Sequence, residues 1–174
     1  MVTRILFARH DGFFYLGMNA LQNDITYMHL ALKAAELAEM SNEVPVGAVL
    51  VLNKEIIATA YNQTRTKCDP TAHAEILLLR QAAKRLKNHR LLESTLYVTL
   101  EPCLMCVGAM IQARIKRVVF GAYDSRFGVI MSQGQLFKGL NHSFDFTDGV
   151  LAETCSEKLQ KFFKQKRQIL RTML

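Results

Sequence analysis

The sequence predicts an α/β protein whose sheet has a parallel portion, covered by helices on both faces, beside one antiparallel hairpin. Two observations carry this prediction. Apolar runs of strand length alternate with apolar stripes at helical spacing, and two adjacent strand-like runs have Asn53-Lys54 between them. The 174 residues, half of them apolar, suit one domain whose core buries roughly 70% of the extended surface without disulfide staples. No internal repeat and no domain linker interrupts the pattern.

Residues 1–22 read as an irregular leader, because Phe13-Phe14-Tyr15 sits between Gly12 and Gly17 with no sustained period. A helix is expected from Asp24, with Met28, Ala31, Leu32, Ala35 and Ala38 on one stripe, ending before Pro45. Val46 to Leu52 and Ile56 to Tyr61 read as the hairpin strands, joined by a tight turn at Asn53-Lys54. Asn62 to Thr71 is a polar loop. Asp69-Pro70-Thr71 then opens a helix with Ala72, Ile76, Leu79, Ala83 and Leu86 on its apolar stripe. Thr95 to Leu100 is a strand of buried type, and Pro102 opens a short helix through Ala113. A strand at Arg117 to Gly121, a loop-rich stretch over 122–143 and a final helix from Val150 to Arg171 complete the chain.

The four cysteines, Cys68, Cys103, Cys106 and Cys155, include one C-x-x-C pair, which reads as a metal or redox motif and not as a disulfide framework. A reducing compartment follows. Ile5-Leu6-Phe7-Ala8 is too short for a signal h-region, and no run approaches the ~20 apolar residues of a membrane span. The expectation is a soluble, cytoplasmic protein. With 22 basic and 15 acidic residues the formal charge is +7, which favours a polyanionic partner.

The chemistry concentrates in His73-Ala74-Glu75 and, thirty positions after His73, Pro102-Cys103-Leu104-Met105-Cys106. Both motifs fall at helix starts. The i, i+3 spacing turns both sulfurs to one side, and the unpaired N–H groups of a helix start favour thiolate. Two thiolates and an imidazole suit one zinc ion per chain, with a fourth position left for water. Glu75, two residues from the histidine, is then placed to carry protons between that water and a leaving group. A structural zinc half-site or a redox pair would use the same C-x-x-C, and Cys68 could supply a fourth ligand. Cys155, on an apolar stripe, reads as packing.

The H-x-E and P-C-x-x-C pair is the signature of zinc deaminases. The sequence resembles the bacterial tRNA-specific adenosine deaminases over residues 24–171. Further matching segments are Glu43-Val44-Pro45-Val46-Gly47-Ala48-Val49, Asp69 to Glu75, Leu96 to Cys103 and Gly108-Ala109-Met110-Ile111. The resemblance implies a three-layer α/β/α, cytidine-deaminase-like fold with a mixed five-stranded sheet flanked by helices. It also implies a homodimer and conversion of adenosine to inosine at the anticodon wobble position of tRNA. Carried over residue by residue, it makes His73, Cys103 and Cys106 the zinc ligands and Glu75 the proton shuttle. Asn62 becomes a contact to the target nucleotide, with Asp124 and Arg126 near the RNA. The leader has no counterpart in the family, so the deaminase domain is expected over residues 23–174, and Met18 gives a start of ordinary family length. The chain departs from the family wording at Phe127-Gly128-Val129-Ile130-Met131-Ser132 and in the shorter segment that follows.

The substrate class is read from charge. Residues 158–174 hold Lys158, Lys161, Lys164, Lys166, Arg167 and Arg171 and no acid. With Cys155, Leu159, Phe162, Phe163, Ile169 and Leu170 as the buried stripe, Lys161, Lys164, Arg167 and Arg171 face outward as an RNA-binding face. Arg80, Lys84 and Lys87 form a second, less specific basic stripe. Two other classes stay open: a deaminase of a free base or nucleoside such as guanine or cytosine, and a zinc-stabilised binding module without catalysis.

Overall fold

In the computed structural model, residues 11–134, 139 and 141–172 are described, with side chains from residue 21 onward except that of residue 170. The elements are α1 (Asp11–Met40), β1 (Gly47–Leu52), β2 (Glu55–Tyr61), α2 (Ala74–Leu86), β3 (Thr95–Leu100), α3 (Leu104–Gln112), β4 (Arg117–Ala122), β5 (Asp145–Thr147) and α4 (Ala152–Thr172). They form one five-stranded sheet in the order β2-β1-β3-β4-β5. The β1 strand pairs antiparallel with β2 and β3, whereas β3–β4 and β4–β5 are parallel. This is the expected mixed sheet.

Alternation along the strands sorts side chains into two cores. Ala48, Leu50, Leu96, Val98, Val118 and Phe120 pack with α2 and α3. Val49, Val51, Tyr97 and Val119 pack with Met28, Ala31 and Leu32 of α1 and with Cys155 of α4. Helices therefore cover both faces, which explains why the strands read as continuous apolar runs. At Gly47 the approach of α1 is so close that an added Cβ would lie 2.1 Å from the Ala31 carbonyl oxygen. The hairpin turns at Asn53 and Lys54 with φ of 52° and 66°, the pair of left-handed conformations a two-residue turn requires. Across the sheet, Asp24 of α1 takes two hydrogen bonds from Arg117 at 2.9 and 2.7 Å and one from the Tyr97 hydroxyl at 2.9 Å, joining α1 to β3 and β4.

Three element readings need correction. Residues 11–22, expected as irregular, are the first turns of α1, because a helix anchored by its buried stripe extends at the gain of one hydrogen bond per residue fixed. The remainder of that leader lies outside the described residues. The second helix begins at Ala74 and not at Asp69, since Asp69 Oδ1 accepts from the Thr71 N–H and hydroxyl and closes a separate turn first. On α4, Cys155, Leu159 and Phe162 face the core as expected, but Phe163 and Ile169 are 41% and 49% exposed. Leu170 lies outside the described side chains.

Topology fixes where a site can form. The β2 and β3 strands run in the same direction on either side of β1, and β4 is parallel to β3, so all three end at one edge of the sheet. The starts of α2 and α3 and the residues after β2 and β4 meet there.

Candidate metal centre and active site

His73 and Cys103 are the N-cap residues of α2 and α3, and Cys106 lies in the first turn of α3. His73 Nδ1 is 3.7 Å from Cys103 Sγ and 3.5 Å from Cys106 Sγ, and the two sulfurs are 3.7 Å apart. A tetrahedral zinc with ordinary Zn–S and Zn–N bonds requires separations of about 3.8 Å between sulfurs and about 3.6 Å from sulfur to nitrogen. The three donors thus fit zinc, and among the described residues no fourth His, Cys, Asp or Glu joins them. Cys68 is exposed on the loop after β2, outside the cluster. Cys155 is buried packing, its sulfur 2.4 Å from where a Cβ on Gly121 would lie.

The electrostatics suit a cation. The hydrogen bond with Cys106, and then His73, pull Cys103 down to about 4, and the same shared proton, with burial, pushes Cys106 up. A metal ion would relieve the Cys106 proton, since only thiolate binds it. His73 is raised by its hydrogen bond to Cys103. Glu75 is 4% exposed, and burial raises its carboxyl above the ordinary range.

These groups open on one cavity of about 640 Å³, whose wall includes His73, Glu75, Cys103, Asn62, Asp124 and Arg126. Every residue expected to act in the pocket except the buried Cys106 therefore lines the same space. Asn62 is buried, and its Nδ2 donates to Glu43 Oε2 at 3.1 Å. Because a carboxylate only accepts, this contact fixes the amide's orientation. Asp124 is occupied locally: its Oδ1 accepts from the N–H groups of Arg126 and Phe127 at 3.0 and 3.2 Å. Arg126 is exposed at the cavity mouth. Lys161, Lys164, Arg167 and Arg171 are all exposed on α4, whose Phe163 forms part of the cavity wall.

Two buried carboxylates organise the rim, and neither stood out in the sequence as a functional group. Glu43, wholly buried, accepts from Thr66 N–H (2.7 Å), Thr66 Oγ1 (2.9 Å), Thr64 Oγ1 (3.3 Å) and Asn62. Glu101 accepts from the N–H groups of Asp124, Ile130, Met131 and Ser132 at 2.7–3.1 Å and from the Ser132 hydroxyl. Burial opposes ionisation of both, but these donors hold each carboxyl below the ordinary range. The one available signal was a glutamate beside an apolar strand, at Leu100-Glu101-Pro102 and at Glu43-Val44-Pro45.

The site defines a zinc-binding deaminase, and residues 21–122 match the cytidine and deoxycytidylate deaminase zinc-binding region. A tRNA-specific adenosine deaminase of Haemophilus influenzae is 51% identical over 148 residues, which span 83% of this chain and 86% of that protein. One of Bacillus subtilis is 45% identical, spanning 85% of this chain and 93% of the relative. A solved structure from work on A-to-I editing by tRNA:A34 deaminases at the wobble position superposes with a TM-score of 0.75 and 43% identity, covering 77% of this chain and 99% of that one. The chain belongs to the tRNA-specific adenosine deaminase family, and zinc is its cofactor.

Proposed function

We propose that residues 23–174 form a hydrolytic deaminase that converts adenosine to inosine at the wobble position of a tRNA anticodon. The observation that carries this reading is the cavity that joins Glu75 and Asn62 to His73 and Cys103, which with the buried Cys106 form the donor set, in a chain half identical to a tRNA-specific adenosine deaminase. His73, Cys103 and Cys106 hold zinc. When bound, zinc supplies Lewis acidity that makes water a nucleophile near neutral pH.

Glu75 takes a proton from the attacking water and returns it to the departing nitrogen, so that the C–N bond breaks and ammonia leaves. Its burial keeps that proton from bulk solvent. Asn62, oriented by Glu43, holds the target nucleotide, and Asp124 shapes the turn that presents Arg126 to the RNA. Lys161, Lys164, Arg167 and Arg171 meet phosphates along α4, a role supported by their common exposed face and by Phe163 of the same helix at the cavity.

A second copy of the chain completes the assembly as a homodimer. Its seat is an apolar groove of about 540 Å³ between α2 and α3, lined by Ile76, Leu79, Ala83, Met105 and Ala109, beside Leu104, which is 55% exposed. Among the described residues no helix is long and apolar enough to cross a membrane, and a tRNA substrate implies action in the cytoplasm. The test is deamination of a synthetic anticodon stem-loop carrying adenosine at the wobble position, beside free adenosine, guanine and cytosine. Inosine in the stem-loop is the expected product. Turnover of a free base with none of the stem-loop would replace this reading with the small-molecule deaminase.

A further inference from the structure

The loop after β4 holds a large aromatic ring in solvent on a rigid mount. Phe127 is 66% exposed, lines the cavity mouth and has no ring partner among the described residues. Its backbone is nevertheless pinned on both sides. Asp124 Oδ1 takes the Phe127 N–H, the Asp124 carbonyl takes the Gly128 N–H at 2.9 Å, and Gly128 forms a bridge with Cys103 at the start of α3. Gly128 also presses on Glu101 so closely that an added Cβ would lie 2.3 Å from Cδ, and Glu101 then anchors Ile130, Met131 and Ser132. With two thirds of its surface left in solvent, Phe127 contributes little apolar burial to the fold.

Resting on the proposed RNA substrate, we infer that Phe127 is the stacking platform for the nucleotide next to the edited adenosine. The proposed reaction places one base in the cavity, so the chain of the RNA must continue over its rim, where the exposed ring lies beside exposed Arg126. A splayed loop base stacks on such a ring while a guanidinium meets its phosphate. The contact tolerates any base, and it favours those that stack well. Phe127 thereby sets neighbour preference without touching the reacting atoms.

The experiment pairs Phe127→Ala and Phe127→Trp with three stem-loops: the intact RNA, and RNAs abasic immediately 5′ or 3′ of the target adenosine. On the intact RNA, Phe127→Ala should raise KM and weaken binding by roughly 5- to 150-fold, the span of one base–aromatic stack, with the loss carried by KM and not by kcat. Phe127→Trp should restore it. One of the two abasic RNAs should cost the unaltered protein the same factor and cost Phe127→Ala nothing more. Zinc content and melting temperature of Phe127→Ala should match the parent protein. An effect under twofold, a loss that multiplies with both abasic losses, or a loss tracking reduced melting temperature overturns the inference. If the unaltered protein leaves the intact stem-loop unedited, the RNA substrate fails first and this inference with it.

Discussion

At the scale of single residues, Glu75 and the thiolates separate by function. Glu75→Gln removes the proposed proton carrier but keeps the shape and leaves the three donors in place, so the variant should fold and retain zinc. Its deamination should fall by about 10²-fold or more, the range of a general acid–base group. Cys103→Ser should instead lose most of the metal, as read by zinc analysis of the purified protein. Near-normal turnover in the first variant, or full zinc content in the second, would remove these roles.

Glu43 makes a different prediction, because it is a buried structural carboxylate. Its native carboxyl sits below the ordinary value of 4.5, so the native state binds its proton less readily than the unfolded chain. Its contribution to stability is therefore complete above about pH 4.5 and is lost as pH falls through the lowered native value. Glu43→Gln removes that dependence and turns an amide N–H₂ toward the donors of Thr66 and Asn62. The variant should lose about 1–3 kcal/mol at pH 7, with a shallower decline between pH 5 and pH 3. Urea midpoints across that range read both effects.

At the scale of elements, α4 has two faces, one that docks on the sheet and one proposed to meet RNA. Cys155 and Phe162 are buried, and Lys158 reaches Glu36 and Glu39 of α1 at 3.5 Å, which fixes the helix on the sheet. The outer face carries Lys161, Lys164, Arg167 and Arg171. Reversing these four to Glu should weaken tRNA binding and flatten its salt dependence by about one log–log unit or less per lost phosphate contact. Zinc content should not change. Equal affinity and salt slope for the reversed helix would make this face merely solvated.

At the scale of the whole molecule, the groove between α2 and α3 should be covered by a second chain. Sedimentation of the parent protein should give twice the monomer mass. Met105→Lys, which sets a second cation into a groove already lined by Arg80, should yield monomers that keep zinc, because desolvating that charge costs more than the groove's apolar contacts return. Parent monomers at micromolar concentration would reject the dimer.

The chemistry available to the protein is legible in local patterns of the chain. Cys103 and Cys106 converge through the i, i+3 geometry of one helix turn, the apolar stripe of α1 marks its buried side, and the hairpin is written in a two-residue connection; all are local patterns. The sequence did not determine that α1 reaches back to Asp11, because a helix extending from an anchored segment leaves no periodic mark in a stretch such as Asp11 to Gln22. Nor did it reveal the buried carboxylates. The motifs marked His73, Cys103 and Cys106 as a donor set, but what brings His73 to cysteines thirty and thirty-three positions away is tertiary: β2 and β3 run in the same direction across β1 and start their following helices at one edge. The same strand order encloses Glu43 and Glu101 and surrounds them with N–H donors, while α4 turns Phe163 to the cavity instead of the core. Burial and long-range hydrogen bonds depend on which strands become neighbours, and that choice is made by the packing of the whole sheet and not by any segment of it.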